Sequence, residues 1–236
     1  MGLASDHPIE ARSLAEIVDL DASAARVLER FGLDYCCGGR ATLADACAEA
    51  GCDVAAVADA LRDAPDEGVP GWASLAPAAM VDHLVATHHA YLHAELPRLQ
   101  ALAEKVESVH GRRHPELVRV TELVVALRDD LEPHLAKEEL VLFPMIRELS
   151  TNAAAPSSHC GGIANPIRVM LAEHERTGEL LEALHAATDG FAPPDDACAS
   201  YRLLFEGFAE LTADTHLHVH KENDVLFPAV LALAGA

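Results

Sequence analysis

The sequence predicts an all-α protein in which a small N-terminal helical domain precedes an up-down-up-down four-helix bundle. Three observations predict it. Half of the 236 residues are hydrophobic and only 4% are aromatic; alanine and leucine dominate and alternating Thr/Val/Ile runs are nearly absent, a balance that favours helix over strand. Four long stretches carry apolar residues at helical spacing and are separated by Gly- and Pro-containing loops. One segment is written twice: residues 134–144 read HLAKEELVLFP, residues 218–228 read HVHKENDVLFP, and seven of the eleven positions are identical.

Taken in order, residues 1–13 read as a loose tail. Residues 14–64 hold three short helical patterns, LAEIVDLDASAARVLERF, TLADACAEA and DVAAVADALRDA, with Gly32 and Gly51 as helix stops. The stretch PDEGVPGWASLAP at 65–77 contains three prolines and two glycines, which marks a domain boundary. The division is residues 1–66 for the N-terminal domain, 67–79 for the linker and 80–236 for the bundle. The first long helix runs from about Pro77 to His110, with Leu84, Leu92, Leu96, Leu99 and Val106 on one stripe. The second runs from about Pro115 to Leu149, the third from Pro166 to Ala187 and the fourth from Asp195 to Leu233. Gly111 and the loops at 150–166 and 188–194 separate them. Short connections between amphipathic helices give antiparallel neighbours. His134 and His218 are 84 residues apart, and His89 and His174 are 85 apart. The first helical hairpin is thus repeated as the second, and a pseudo-two-fold axis relates them.

The formal charge of −21 excludes nucleic acid as a partner and suits no anionic membrane surface. No apolar run approaches the ~20 residues that span a bilayer, and the N-terminus lacks a basic segment followed by an apolar one. The chain reads as cytoplasmic. Its six cysteines, 36, 37, 47, 52, 160 and 198, read as reduced thiols there.

Residues four apart on a helix share one face, so His134 and Glu138 aim an imidazole and a carboxylate at one point. His218 and Glu222 do the same from the other hairpin. Charges inside a bundle core need pairing or a metal. His89 and His174, at matching places in the preceding helices, add two nitrogens. Four His and two Glu exceed the four ligands that zinc takes and suit two metal ions, each Glu bridging both. An oxo or hydroxo bridge completes five-coordination, and imidazole with carboxylate favours iron or manganese. In the first helix His83, His88, His89 and His93 compete, and spacing barely separates His88 from His89. His216 and His220 flank His218, which the repeat register selects. Glu139 falls one residue off the ligand face and reads as solvated. His110, His114 and His185 read as exposed. Pro144 and Pro228 are expected to bend or end their helices by removing a backbone donor.

The second unusual stretch is DYCCGGRATLADA at 34–46. Its two thiols precede a helix that Thr42 caps. With Arg40 close by, Cys36 and Cys37 are expected to have lowered pKa values and thiolate reactivity. Cys47, Cys52 and Cys198 read as buried and inert, and Cys160 is left open.

With DYCCGG, HLAKEELVLFP, VMLAEHERTGELLE and HKENDVLFP in one chain, the sequence resembles the iron–sulfur cluster repair di-iron proteins, the repair-of-iron-centres family. The resemblance covers nearly the whole chain, and it implies a hemerythrin-like bundle behind a Cys-Cys domain. It implies two iron ions in an oxo- or hydroxo-bridged centre held by His89, His134, Glu138, His174, His218 and Glu222, and it selects His89 within DHLVATHHAYLHAELP. It points to Cys36 and Cys37 as the functional thiols. The implied role is repair of iron–sulfur clusters damaged by nitric oxide or oxidants, with damaged iron–sulfur proteins as partners and nitric oxide or dioxygen as small ligands. Nitric oxide reduction and gas binding or sensing are the alternatives, and a homodimer is left open.

Overall fold

Every regular element among the described residues is helical, and the order follows the predicted one with a consistent difference at the repeated motif. The computed structural model describes residues 8–21, 23–65, 70–151 and 162–235. The start of the expected tail, the start of the expected linker and the 152–161 part of the expected 150–166 loop, Cys160 included, lie outside them. No described helix is long and apolar enough to cross a membrane. Contacts group the chain into two compact units, Val81–Thr215 and Met1–Met80 with His216–Ala236.

The unit Val81–Thr215 contains α6 (Ala90–His110), α7 (Glu116–Lys137), α8 (Phe143–Thr151), α9 (Ala164–Ala187) and most of α10 (Ala199–His220). Helices α6, α7, α9 and α10 share one core: Leu92, Leu96 and Leu99 meet Leu123, Leu127 and Leu131, Leu181 and Leu184, and Phe205 and Phe208, all buried. The expected stripe from Leu84 to Val106 is buried throughout.

The long helices are not uniform. α5 (Pro77–Leu84) passes into α6 through a π-helical turn, Val85–His89, and a second π-turn, Glu138–Leu142, joins α7 to α8. A third, Lys221–Leu226, joins α10 to α11 (Phe227–Ala234). The backbone N–H of Phe143 donates to the Glu138 carbonyl, and that of Phe227 to the Glu222 carbonyl, five residues back in each case. This gives the Phe-Pro of the repeated motif a structural reason. Proline has no N–H to donate, and its ring would clash with the carbonyl four residues back in an α-helix. A wider turn just before it removes that conflict. Pro144 and Pro228 do not end the helical run: the α-helix resumes at Phe143 and Phe227, and each proline sits in the first turn of the resumed helix.

The other unit opens with α1 (Leu14–Leu20), α2 (Ala24–Arg30), α3 (Leu43–Ala50) and α4 (Val54–Asp63). The sequence LAEIVDLDASAARVLERF forms two helices rather than one. Asp21 Oδ1 accepts the Ser23 backbone N–H at 2.9 Å, an alternative to helix that Asp side chains readily offer. Ser13 and Glu16 form a reciprocal capping box on α1, Thr42 caps α3 and Asp53 caps α4. Gly32 and Gly51 take left-handed φ values of 66° and 70° as expected of helix stops. Leu14, Ile17, Leu28, Tyr35, Leu43, Val57, Leu61 and Val219 are among this unit's buried core residues.

Candidate metal centre

Within Val81–Thr215, buried His and Glu side chains gather where the π-turns interrupt the helices. His89, the last residue of the first π-turn, places Nε2 3.4 Å from Glu138 Oε2. His134, one turn earlier on α7, places its Nε2 3.5 Å from the same oxygen. His174 of α9 brings its Nε2 to 3.2 Å from that of His134. Ligands on one metal with ~2.1 Å bonds lie roughly 3.0–3.4 Å apart, so this nitrogen pair has the spacing of neighbours in a coordination sphere. His89, His134, Glu138 and His174 are each at most 1% exposed. One ligand atom from each of His134, Glu138 and His174 lies within 4.8 Å of the others, and the same holds for His89 with Glu138. In the other unit His218 Nε2 is 3.4 Å from Glu222 Oε1, and both residues are fully buried. His218 and Glu222 thus form a buried His–Glu pair like His134 and Glu138.

The decisive atoms are the two carboxylate oxygens of Glu138. Both are buried and neither accepts a hydrogen bond from any described residue. A bare buried carboxylate is strongly unfavourable, and a cation between it and the facing imidazole nitrogens would remove the penalty. The histidines are already oriented for that. Glu173 Oε2 accepts from His134 Nδ1 at 3.0 Å, and Glu139 Oε1 accepts from His89 Nδ1 at 2.8 Å, which presents each Nε2 to Glu138 Oε2. Lys137 holds Glu173 from the far side. Burial raises the pKa of both Glu173 and Glu139, but hydrogen bonds outweigh it and hold both carboxyls below the usual value. Those bonds come from Lys137 and His134 to Glu173, and from His89 and His93 to Glu139.

The expectation that Glu139 is solvated is corrected. Its side chain is 33% exposed and holds His89 Nδ1 at 2.8 Å from within the π-turn. Sequence reasoning passed over Glu173 altogether; the one available signal was an acidic residue directly before His174. Among the rivals, His88 is tied to Asp214 at 2.9 Å, His93 lies half-exposed against Glu139, and His220 is held by Asp19 at 3.1 Å and Asp224 at 3.3 Å. His110 is buried, not exposed, with Nε2 3.2 Å from Cys198 Sγ. His114 is partly buried between Glu116 and Asp196, and His185 is exposed.

Two family models match. The hemerythrin HHE cation binding domain covers residues 80–230, and a domain of unknown function, DUF542, covers residues 10–65. The chain is 35% identical over 210 residues, 89% of its length and 91% of the other's, to the iron-sulfur cluster repair protein YtfE of Escherichia coli O157:H7. It is 34% identical over 224 residues, 93% and 96% of the two lengths, to a probable iron-sulfur cluster repair protein of Haemophilus influenzae. The chain belongs to the iron–sulfur cluster repair protein family. As a member with a hemerythrin HHE cation binding domain it is an iron-binding protein, and its buried His and Glu groups supply nitrogen and oxygen ligands that suit iron.

The Cys-Cys stretch of this repair-family chain lies in the unit with residues 1–80. Asp34 Oδ1 accepts the backbone N–H groups of Cys36 and Cys37, each at 2.9 Å, and Oδ2 accepts that of Gly38 at 3.1 Å. The Cys36 thiol also donates to Asp34 Oδ1 at 3.1 Å, and Cys36 Sγ lies 3.8 Å from Cys37 Sγ. Asn223 Nδ2 donates to the Cys36 carbonyl at 3.0 Å. Gly39 leaves no room for a side chain: a Cβ there would clash with the Tyr35 carbonyl. The expected lowering of the Cys36 pKa is corrected. The hydrogen bond with Cys37, burial and the Asp34 charge push the Cys36 thiol well above its usual value, and α3 begins only at Leu43, too far on for its dipole to help. Cys47 is buried, its thiol pushed up to about 11 by burial first. Cys52 is partly exposed and Cys198 exposed; the latter stands one residue ahead of α10, outside the packed helix.

Proposed function

We propose that the chain repairs iron–sulfur clusters damaged by nitric oxide or oxidative stress, from a di-iron centre with four His and two Glu ligands. The ligands are His89, His134, His174 and His218, with Glu138 and Glu222 bridging. The observation that carries this reading is the Glu138 carboxylate, buried with neither oxygen hydrogen-bonded to a described residue and with imidazole nitrogens 3.4 and 3.5 Å away. The hemerythrin match spans all six positions, and the relatives' names supply the repair role. The centre, when loaded, supplies iron for cluster rebuilding and a site at which nitric oxide or dioxygen can react.

The chain's own side chains prepare that centre. Glu173 and Glu139 accept hydrogen bonds from the Nδ1–H groups of His134 and His89, which fixes both tautomers and raises the basicity of Nε2. Leu142, Phe143 and Ile146, all buried, exclude water beside Glu138. In this reading residues 1–66 form a thiol-bearing domain in which Cys36 and Cys37 meet the damaged client, residues 67–79 a linker and residues 80–236 the iron-holding bundle. The chain works in the cytoplasm, with damaged iron–sulfur proteins as partners.

The test is a purified mixture of the iron-loaded full chain and a nitric-oxide-damaged iron–sulfur enzyme. The expected result is about two irons per chain and recovery of the client's activity as iron leaves the chain. The His134→Ala/His218→Ala variant should bind less iron and restore less. Equal restoration by this variant would refute the reading.

A further inference from the structure

The di-iron reading leaves one group of metal-binding side chains unused. Asp34, Cys36 and Cys37 each offer a ligand atom, and all three lie within 4.8 Å of one another. We propose that Asp34, Cys36 and Cys37 form a second, exchangeable metal site for a divalent cation with thiolate affinity, such as Fe²⁺ or Co²⁺.

The geometry argues for it in three steps. The thiol spacing comes first. Two sulfurs on a tetrahedral metal with ~2.3 Å bonds are about 3.8 Å apart, and Cys36 Sγ and Cys37 Sγ are 3.8 Å apart. The carboxylate is close as well: the edge from Cys36 Sγ to Asp34 Oδ1 measures 3.1 Å with the thiol proton in place and needs to open by only about half an ångström. Second, the ligands are held ready. Three backbone N–H groups fix the Asp34 carboxylate over the thiols, Asn223 fixes the Cys36 carbonyl, and Gly39 sits where no side chain fits. Third, the thiols are not consumed by each other. Neighbouring Cα atoms are about 3.8 Å apart, closer than an unstrained disulfide allows.

Binding is a ligand exchange without change of oxidation state. Each thiol gives its proton to solvent, two metal–sulfur bonds and one metal–oxygen bond form, and bound waters leave. Two thiolates and one carboxylate overbalance a divalent charge by one. Three ligands leave a fourth position for water or for a ligand from a partner. Cys37 and Asp34 are exposed while Cys36 is buried, so the open position faces solvent. A site with an open position and a single-loop ligand set suits passage of an ion better than storage. This deepens the repair reading, since it gives released iron a place to be handed on.

The experiment uses the full chain with its iron loaded and free metal removed. Co²⁺ is added without oxygen while the near-ultraviolet thiolate-to-cobalt charge-transfer band is followed, and iron content is measured alongside. One cobalt per chain with that band is expected. Cys36→Ser or Cys37→Ser should weaken or abolish the band, and Asp34→Asn should weaken cobalt binding at least about tenfold, the lower end of the loss for even an outer-shell partner. Cys198→Ser, an exposed thiol elsewhere, should leave the titration unchanged. X-ray absorption of the wild-type cobalt form, which needs no variant to fold, should show two sulfur neighbours. Absence of the band or of sulfur neighbours, or an Asp34→Asn titration identical to wild type, would overturn the site. A cobalt site in a chain that restores no client would sink the repair reading and leave the site standing. Restoration by a chain without the band would do the reverse.

Discussion

Glu138→Gln is expected to push the metal-free and the iron-loaded protein in opposite directions. In the metal-free chain Glu138 is a fully buried carboxylate with neither oxygen hydrogen-bonded to a described residue. A buried ion left in that state costs several kcal/mol. Glutamine has the same shape without the charge, and an unmet buried amide costs about 1–3 kcal/mol. The balance favours the metal-free variant by about 2 kcal/mol, which in a chain of this size raises Tm by about 4–8 °C. In the loaded form a neutral amide is a poorer iron ligand than a carboxylate, and iron should be lost to a chelator at least about ten times faster. Calorimetry of both forms, with chelator competition on the loaded one, measures the pair of effects. A metal-free variant no more stable than wild type would mean that the carboxylate is already satisfied without metal, and the argument for a cation there would fall. Higher metal-free stability with unchanged iron retention would remove Glu138 from the ligand set. This opposition, stability given up for a site, is the usual pattern of functional residues.

Two further outcomes follow from neighbouring contacts. Glu173→Ala and Glu139→Ala, which free the Nδ1 atoms of His134 and His89, should each weaken iron binding about 10- to 100-fold in chelator competition; unchanged binding in both would show that the tautomers are fixed by something else. Burial opposes a charge on His220, but Asp19 and Asp224 outweigh it and raise its pKa above the ordinary imidazole value. The stability it contributes is complete below the unfolded pKa and is lost as pH rises through the raised folded value, so Tm should fall more steeply in wild type than in His220→Gln as pH rises above the ordinary imidazole value of about 6.5, and parallel curves would exclude this pair of contacts as the cause.

Local chemistry in the sequence determined a good deal. Apolar spacing located the four long helices, since burying a stripe such as Leu84 to Val106 is the main source of helix stability in a folded chain. Gly32, Gly51, Thr42 and the Ser13–Glu16 box set helix ends through backbone constraints confined to a few residues. The repeat of His-x-x-x-Glu followed by Leu-Phe-Pro marked two buried His–Glu pairs, because residues four apart must share a helix face. Tertiary structure decided the rest. The π-turns arise from a contest between a proline ring and a carbonyl within a helix that packing holds together on both sides, and a periodicity count does not register one extra residue in a turn. Glu173 reaches His134 across 39 residues of chain, and Glu139 reaches His89 across 50; each depends on which helices lie side by side. The thiol pair shows the same limit. Two cysteines before a helix suggested a lowered pKa, but the field at Cys36 comes from Cys37, burial and the folded-back Asp34 carboxylate. Sequence spacing names the groups that can react, while distances set by packing fix their charge.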